Sequence, residues 1–558
     1  MANQTVFVRE ATGLVRSLGV WDTVFFNFIA FGGAWSILYA LTYAPYYGGD
    51  PAVSLLMTLP GILALLGMYY IFNTAMPRSG GDYVFNSRIL HPAIGFAANF
   101  VGYAFFVAFF LGDGASLFSS SALAQTLSVY GVLTSSTGPQ SAATWMIQPW
   151  NNFLLGTVVV AGAAVILMIG NKLYFRLQNY LSVISVVGLV IIAALLLATL
   201  LNPSSFVSAF NHYAINVNPT NALMTPNPYE NITASVASSA PDISPTNMGA
   251  NLLLVPLWFT VLFWVFGSNY LAGEIKNVQK TAKIGLFGGL GLVFILTLVI
   301  IEAAYYALGF NFVLGTDNIF YGYVANTLGA PPNLMMFSAI IAGNPLLVLF
   351  LGIGMVAAFV IAPAFNGILL SRILFGYSFD RLFPQWIAHV NYKFNTPTYA
   401  VAIAAVGGEI WLALISGIFG GTTSATALTL YSYAGLAAVG ITFVVTSISA
   451  IVFPYRKKQL YETACTVKRK VLGVPIIVWL GVITLVYSFM TFFWYAYDQE
   501  FYFFGCPAGG VVACDFNPFL GLLALFFIGS IGYYYLAKWY RSREGIDLDL
   551  VFKEIPPE

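Results

Sequence analysis

The sequence predicts an all-α polytopic membrane protein with 12 transmembrane helices, and three observations carry that expectation. Hydrophobic residues make up 59% of the 558 and charged residues only 8%, whereas soluble domains carry roughly 25% charged residues. Apolar runs of about twenty residues, enough to cross a bilayer, recur along the chain. Every Lys and Arg then falls on one side of the resulting topology. With a mean hydropathy of +0.82, the chain is not a string of soluble domains, and its partner is the lipid bilayer.

The spans read at 22–46, 51–75, 93–118, 152–170, 175–201, 249–272, 283–309, 337–371, 398–418, 424–453, 474–497 and 516–537. The links 47–50 and 419–423 are short enough for hairpins. With the N-terminus in the cytoplasm, the inner segments hold Arg9 and Arg16, Arg78 and Arg88, Lys172 and Arg176, then Lys276, Lys280 and Lys283. They continue through Arg372, Arg381 and Lys393, the basic cluster 456–470, and Lys538, Arg541, Arg543 and Lys553, which accounts for all 22. This is the positive-inside pattern, and a single miscounted span would reverse everything after it. Both termini are therefore expected in the cytoplasm of a cell whose plasma membrane holds the protein. The first 20 residues are mixed polar, so no cleavable signal peptide is expected.

The outer segments have a different chemistry. Residues 202–248 are rich in Asn, Pro, Ser and Thr and include the sequon Asn231-Ile232-Thr233, which makes Asn231 a glycosylation candidate. Cys506 and Cys514 lie eight residues apart in an outer loop, where they either close as a disulfide or stay as two thiols. Cys465 faces the reducing side and is expected to be free.

Several function classes are excluded. The three histidines, His91, His212 and His389, all fall in loops, so no intramembrane pair exists to hold haem or copper, and no cofactor or metal is expected. There is no phosphate loop of the G-x-x-x-x-G-K-[ST] type. There is no Arg-rich voltage-sensing span, and no cluster combining nucleophile, base and orienting group. A net charge of +1 offers nothing to nucleic acid. What remains is a bundle that moves or conducts a solute.

One stretch of the first span, FFNFIAFGGAWSILYAL at 25–41, places Gly32 and Gly33 together inside hydrocarbon. Glycine costs a helix about 1 kcal/mol relative to alanine. Two readings follow: close packing of a neighbouring helix, or a deliberate break that exposes backbone to a ligand.

Three loops bear on this choice. MPRSGGDYVFNSRILHPAIGF occupies 76–96, YLAGEIKNVQKTAKIG occupies 270–285, and FNGILLSRILFGYSFDRLFPQWIAHVNYKFNTPTYA occupies 365–400. In the first, Pro77 reads as a helix stop and Gly80-Gly81 as a turn, with Arg78 and Arg88 available to headgroups or inner-gate acids. The third alternates aromatic and basic residues like a short helix lying in the interface. Together these loops resemble those of the amino acid–polyamine–organocation (APC) superfamily permeases. The matching elements are Pro77-Arg78-Ser79-Gly80-Gly81, Glu274-Ile275-Lys276-Asn277, and Asp380-Arg381-Leu382-Phe383-Pro384 with Thr396-Pro397. Val278 stands where that family usually has proline, and Arg381 where glycine is common.

The resemblance implies a LeuT-like 5+5 inverted repeat with broken helices 1 and 6 at the bilayer midplane. The expected segments are a cytoplasmic N-terminus at 1–21, a first five-helix repeat at 22–201 and an extracellular loop at 202–248. A second repeat at 249–453 follows, then a cytoplasmic loop at 454–473, helices 11 and 12 at 474–537 and a cytoplasmic tail at 538–558. Gly32-Gly33-Ala34 occupies the first break, flanked by Phe31 and Trp35, and lies ~15 Å beyond Asp22 by helical rise. In span six the family's glycine falls at Trp264, while the glycine inside the span is Gly267. Phe263, Trp264, Phe266 and Gly267 are accordingly expected to line the substrate, with Trp264 and Phe266 as a lid.

Buried acids in a membrane are costly and usually functional. Asp113 near the outer end of span three and Glu302 in span seven are the candidates for proton coupling, and Glu409 in span nine is read as structural. The lysine that many proton-coupled relatives carry in span five is Ser185 here, and 346–370 lacks the hydroxyls of sodium-coupled relatives. Proton symport, exchange and facilitated diffusion all stay open. The expected function is a secondary amino acid permease for neutral or apolar substrates. The alternatives are a cationic amino acid or polyamine permease or exchanger and, from another class, a channel or non-transporting sensor on the same fold. Oligomeric state is not legible.

Overall fold

The structure, a computed structural model, describes residues 13–29, 48–238, 240, 243–320, 327–330, 332–421, 436–497 and 518–553. Its helices begin where polar residues and prolines dictate. Asp50 accepts a hydrogen bond from the Val53 amide ahead of the helix Pro51–Ala75. His91 accepts from Ala93 before Pro92, and Asn344 accepts from Leu346 and Leu347 around Pro345. Each cap satisfies amides that have no partner within the helix, and proline at the first turn gives up an N–H that would have been orphaned there. Gly309, at φ 91°, ends the seventh span in a conformation that side chains resist.

Ten helices among the described residues are long and apolar enough to cross a membrane. Most coincide with the expected spans, but two differ. Span three runs unbroken from Pro92 to Leu133 and contains two wide-turn π segments, Phe100–Ala104 and Phe118–Leu123. Span eight divides into a short helix, Leu334–Ala342, and the 35-residue helix Pro345–Phe379, because Gly343 adopts a left-handed conformation between them. That second helix takes in residues 365–379 of the stretch 365–400 expected to lie in the interface, and a 3-10 turn follows at Gln385–Ala388. Val20–Ile29 forms the start of span one, and Pro518–Arg543 forms the helix expected as the twelfth.

The helix pairings have the symmetry of a repeat. Span one packs on span seven, and span two on span six. Span three packs on span nine, and span four on span eight. Span five packs on span eight, and the first π segment of span three on span ten. Exchanging the first five helices for the second five maps each pair onto its counterpart, as a five-plus-five architecture requires. Between the repeats, the helices Pro203–Val217 and Pro228–Val236 cover one end of the bundle. There Phe206 and Phe210 pack against Phe312, and Tyr213 donates to the Leu328 carbonyl at 2.9 Å.

Candidate functional site

Span six carries the structural break. Its α-helix, Met248–Phe263, gives way at Trp264 to a 3-10 helix that lasts through Tyr270, and a second short 3-10 turn covers Ala272–Glu274. A 3-10 run this long is uncommon, and one inside a helix often marks a functional hinge. The break starts at the position where counting placed a glycine and continues past Gly267, so Trp264 and Gly267 belong to one segment. Gly267 is closely packed: a Cβ there would sit 3.0 Å from the Phe365 ring, which would have to give by a few tenths of an ångström.

The aromatic residues expected here do converge. Phe263, Trp264 and Phe266 are all buried. The Trp264 ring meets Tyr103 at 5.9 Å and Phe110 at 5.1 Å, both from span three, while Phe263 and Phe266 flank Phe443 of span ten at 4.9 and 5.2 Å. Edge-to-face and offset pairs of this kind add about 0.5–1.5 kcal/mol each beyond simple burial. Polar contacts hold the same segment to span one: Asn27 Nδ2 donates to Ser268 Oγ at 2.9 Å, and the Ser268 amide donates to Asn27 Oδ1 at 2.9 Å. Phe31, Gly32, Gly33, Ala34 and Trp35 lie outside the described residues, as do Cys506 and Cys514.

The acids separate into distinct environments. Asp113 is 4% exposed and lies midway along span three, which continues to Leu133, so it is not the solvated acid of a helix end. It sits one helical turn beyond Phe110, the partner of Trp264, and residues three apart share a face. Glu302 is half-buried, next to Asp50 and the backbone of Ala52 at the start of span two. Glu409 accepts from Thr157 at 3.0 Å and ties span nine to span four. Asn231 is partly exposed, and its Nδ2 lies 3.2–3.4 Å from the carbonyls of Ala222, Leu223 and Thr225. Cys465 is free and buried, and burial pushes its thiol up from the usual range.

At the end of the bundle that gathers the basic loops, the structure shows pairs whose partners sequence reading did not name. Arg372, expected in a loop, is fully buried inside the span-eight helix. Its Nε lies 2.7 Å from Glu274 Oε1, and its second guanidinium nitrogen reaches Glu274 Oε2 and Asn171 Oδ1, each at 3.1 Å. Arg88 holds both carboxylate oxygens of Asp380 at 2.7 Å. The backbone of Ser17 and Leu18 donates to the Glu274 carbonyl at 2.9 and 3.0 Å, closing the start of span one against the end of span six. The signal for these pairs was present: Glu274, Arg88 and Asp380 all lie within the three loops already singled out.

The chain is similar over 86% of its length, and over 99% of the other chain, to the solved structure of MhsT in complex with L-phenylalanine, at 13% identity and a TM-score of 0.46. No curated protein matches it. The amino acid permease family matches residues 18–504, nearly the whole length, and takes in the break, the aromatic cluster and all three loops. The chain therefore belongs to the amino acid permease family and is a multi-pass membrane transporter rather than an enzyme.

Proposed function

We propose that the protein carries neutral or apolar amino acids across the plasma membrane by alternating access around the breaks of spans one and six, with both termini cytoplasmic. The observation that carries the substrate class is the wall of the span-six break. Phe263, Trp264 and Phe266 meet Tyr103, Phe110 and Phe443 there. Such a surface rewards an uncharged side chain by removing it from water. Backbone groups freed at broken helices suit the charged ends of a zwitterion, a carboxylate at a helix N-terminus and an ammonium at carbonyls. Gly32-Gly33-Ala34 supplies the partner break in this reading.

A second reading rests on one feature. Asp113 lies one turn from Phe110 and so could meet the amine of a cationic substrate near Trp264. Uptake of labelled leucine and labelled lysine into proteoliposomes decides between the two. The first reading expects saturable leucine uptake that excess unlabelled lysine does not inhibit. Saturable lysine uptake that is lost in Asp113→Asn would establish the second. Conductance without saturation would instead identify a channel.

A further inference from the structure

Asp82 follows Gly80-Gly81 in the loop between spans two and three and is fully buried. Every Lys and Arg except Arg9 lies among the described residues, and none of them forms an ion pair with Asp82. Instead, hydroxyls from three helices surround it. Tyr69 of span two donates to Oδ1, Tyr270 at the end of the 3-10 segment donates to Oδ2 at 2.7 Å, and Thr446 of span ten lies 2.6 Å from Oδ1. A buried carboxylate without a cation is costly, and burial pushes this carboxyl up from its usual range while the bonds from Thr446, Tyr270 and Tyr69 pull it back.

The surroundings satisfy both protonation states. Thr446 Oγ1 lies within reach of two acceptors, Asp82 Oδ1 at 2.6 Å and the Thr442 carbonyl at 2.8 Å, and it accepts from Asn86 Nδ2 at 2.9 Å. With Asp82 ionised, the Thr446 hydroxyl donates to the carboxylate. With Asp82 protonated, the acid donates to Thr446 Oγ1 and the threonine hydrogen turns to the Thr442 carbonyl. A hydroxyl has one donor and two acceptor sites, so neither state leaves an orphaned group around Thr446, and only hydrogens move. The other ionisable groups facing Asp82 are the phenols of Tyr69, Tyr103, Tyr270 and Tyr377, from spans two, three, six and eight. Arg88 on its own helix is engaged by Asp380.

We infer that Asp82 is a proton-binding site of this permease, taking up and releasing one proton per transport cycle. The link to the substrate segment is direct. Tyr270 both donates to Asp82 and closes the 3-10 helix that starts at Trp264, and its carbonyl accepts from the Gly80 amide at 3.1 Å. Tyr69, the second donor, stacks on Phe266 of that same segment at 4.9 Å. The charge on Asp82 therefore sets how firmly the inner half of span six is held.

This inference deepens the transport reading, and two experiments keep their failures apart. Infrared titration of the purified protein is expected to show a protonated-carboxyl band that is missing in Asp82→Asn. Thr446→Val removes a donor to the ionised form, so it moves the half-point of that band to higher pH, while Thr446→Ser restores it. Absence of the band in the wild type, or no movement in Thr446→Val, overturns the proton site whether or not amino acids are carried. In proteoliposomes, an inward gradient of one pH unit supports about tenfold accumulation at one proton per substrate. The wild type is expected to accumulate a labelled amino acid mixture, and Asp82→Asn to exchange it without accumulation. Gradient-driven accumulation in Asp82→Asn, or exchange without accumulation in the wild type, overturns the coupling. Failure of the wild type even to exchange, with the infrared band intact, counts against the transport reading alone and leaves the proton site supported.

Discussion

Arg372 and Glu274 form an ion pair with no exposure on either side chain, closed at 2.7 Å and completed by Asn171. One residue lies in span eight and the other just past the break in span six, so the pair fastens the 3-10 stretch of span six to the 35-residue helix of span eight. Removing two charges from water costs several kcal/mol, which the pair recovers only while both members are present.

Arg372→Leu should therefore cost about 3–5 kcal/mol, because it leaves Glu274 buried and uncompensated. The double variant Arg372→Leu with Glu274→Leu should recover most of the loss. Thermal unfolding of the detergent-purified protein checks this, and equal losses in the single and double variants would mean that packing, rather than charge, is what Arg372 contributes.

Gly81 adopts φ 53°, and a Cβ there would lie 2.8 Å from the Tyr270 ring. Gly81→Ala should cost at least the roughly 1–2 kcal/mol of a left-handed non-glycine residue, and it should push Tyr270 off Asp82. Gly529, with open space around its Cβ position, is the control. A melting temperature that falls for Gly81→Ala and holds for Gly529→Ala is the expected result.

Trp264 tests the proposed lid. Truncating a buried tryptophan to alanine costs about 3–5 kcal/mol, so Trp264→Phe, which keeps an aromatic body, is the informative variant. It should fold and weaken the apparent affinity for an apolar amino acid by about tenfold, or 1.4 kcal/mol. An unchanged KM would remove Trp264 from the binding surface and leave it as packing.

Asn27→Ala should loosen the broken segment without unfolding the bundle. It removes both bonds to Ser268 and leaves that residue's buried amide without its acceptor and its Oγ without its donor, at about 1–3 kcal/mol per group. Hydrogen exchange should then accelerate at 264–270 and remain unchanged in span two. Uniform acceleration across the protein would show that Asn27 supports the whole fold instead.

The membrane class, most of the helix positions and the location of the span-six break were legible because each depends on local chemistry. Pro51 after Asp50 starts a helix whatever surrounds it, and a run of apolar residues enters lipid on its own account. The division of span eight at Gly343 was less legible, because apolar sequence on both sides hides a single left-handed residue. Asp82 was overlooked for another reason. In the loop sequence it is one acid among arginines, and an acid near arginines looks paired.

By itself, the sequence determined that this chain lives in a bilayer, where its basic residues gather, and which loops tie it to a permease family, since hydropathy, charge asymmetry and motif spacing are properties of the chain alone. Only the tertiary structure decided which charges meet. Arg88 finds Asp380 and Arg372 finds Glu274 across 292 and 98 residues of chain, leaving Asp82 to hydroxyls from three different helices. Burial makes such pairings matter, because in a low-dielectric interior a charge must have its partner or lose its charge. Which partner it has is settled by how helices distant in sequence pack together.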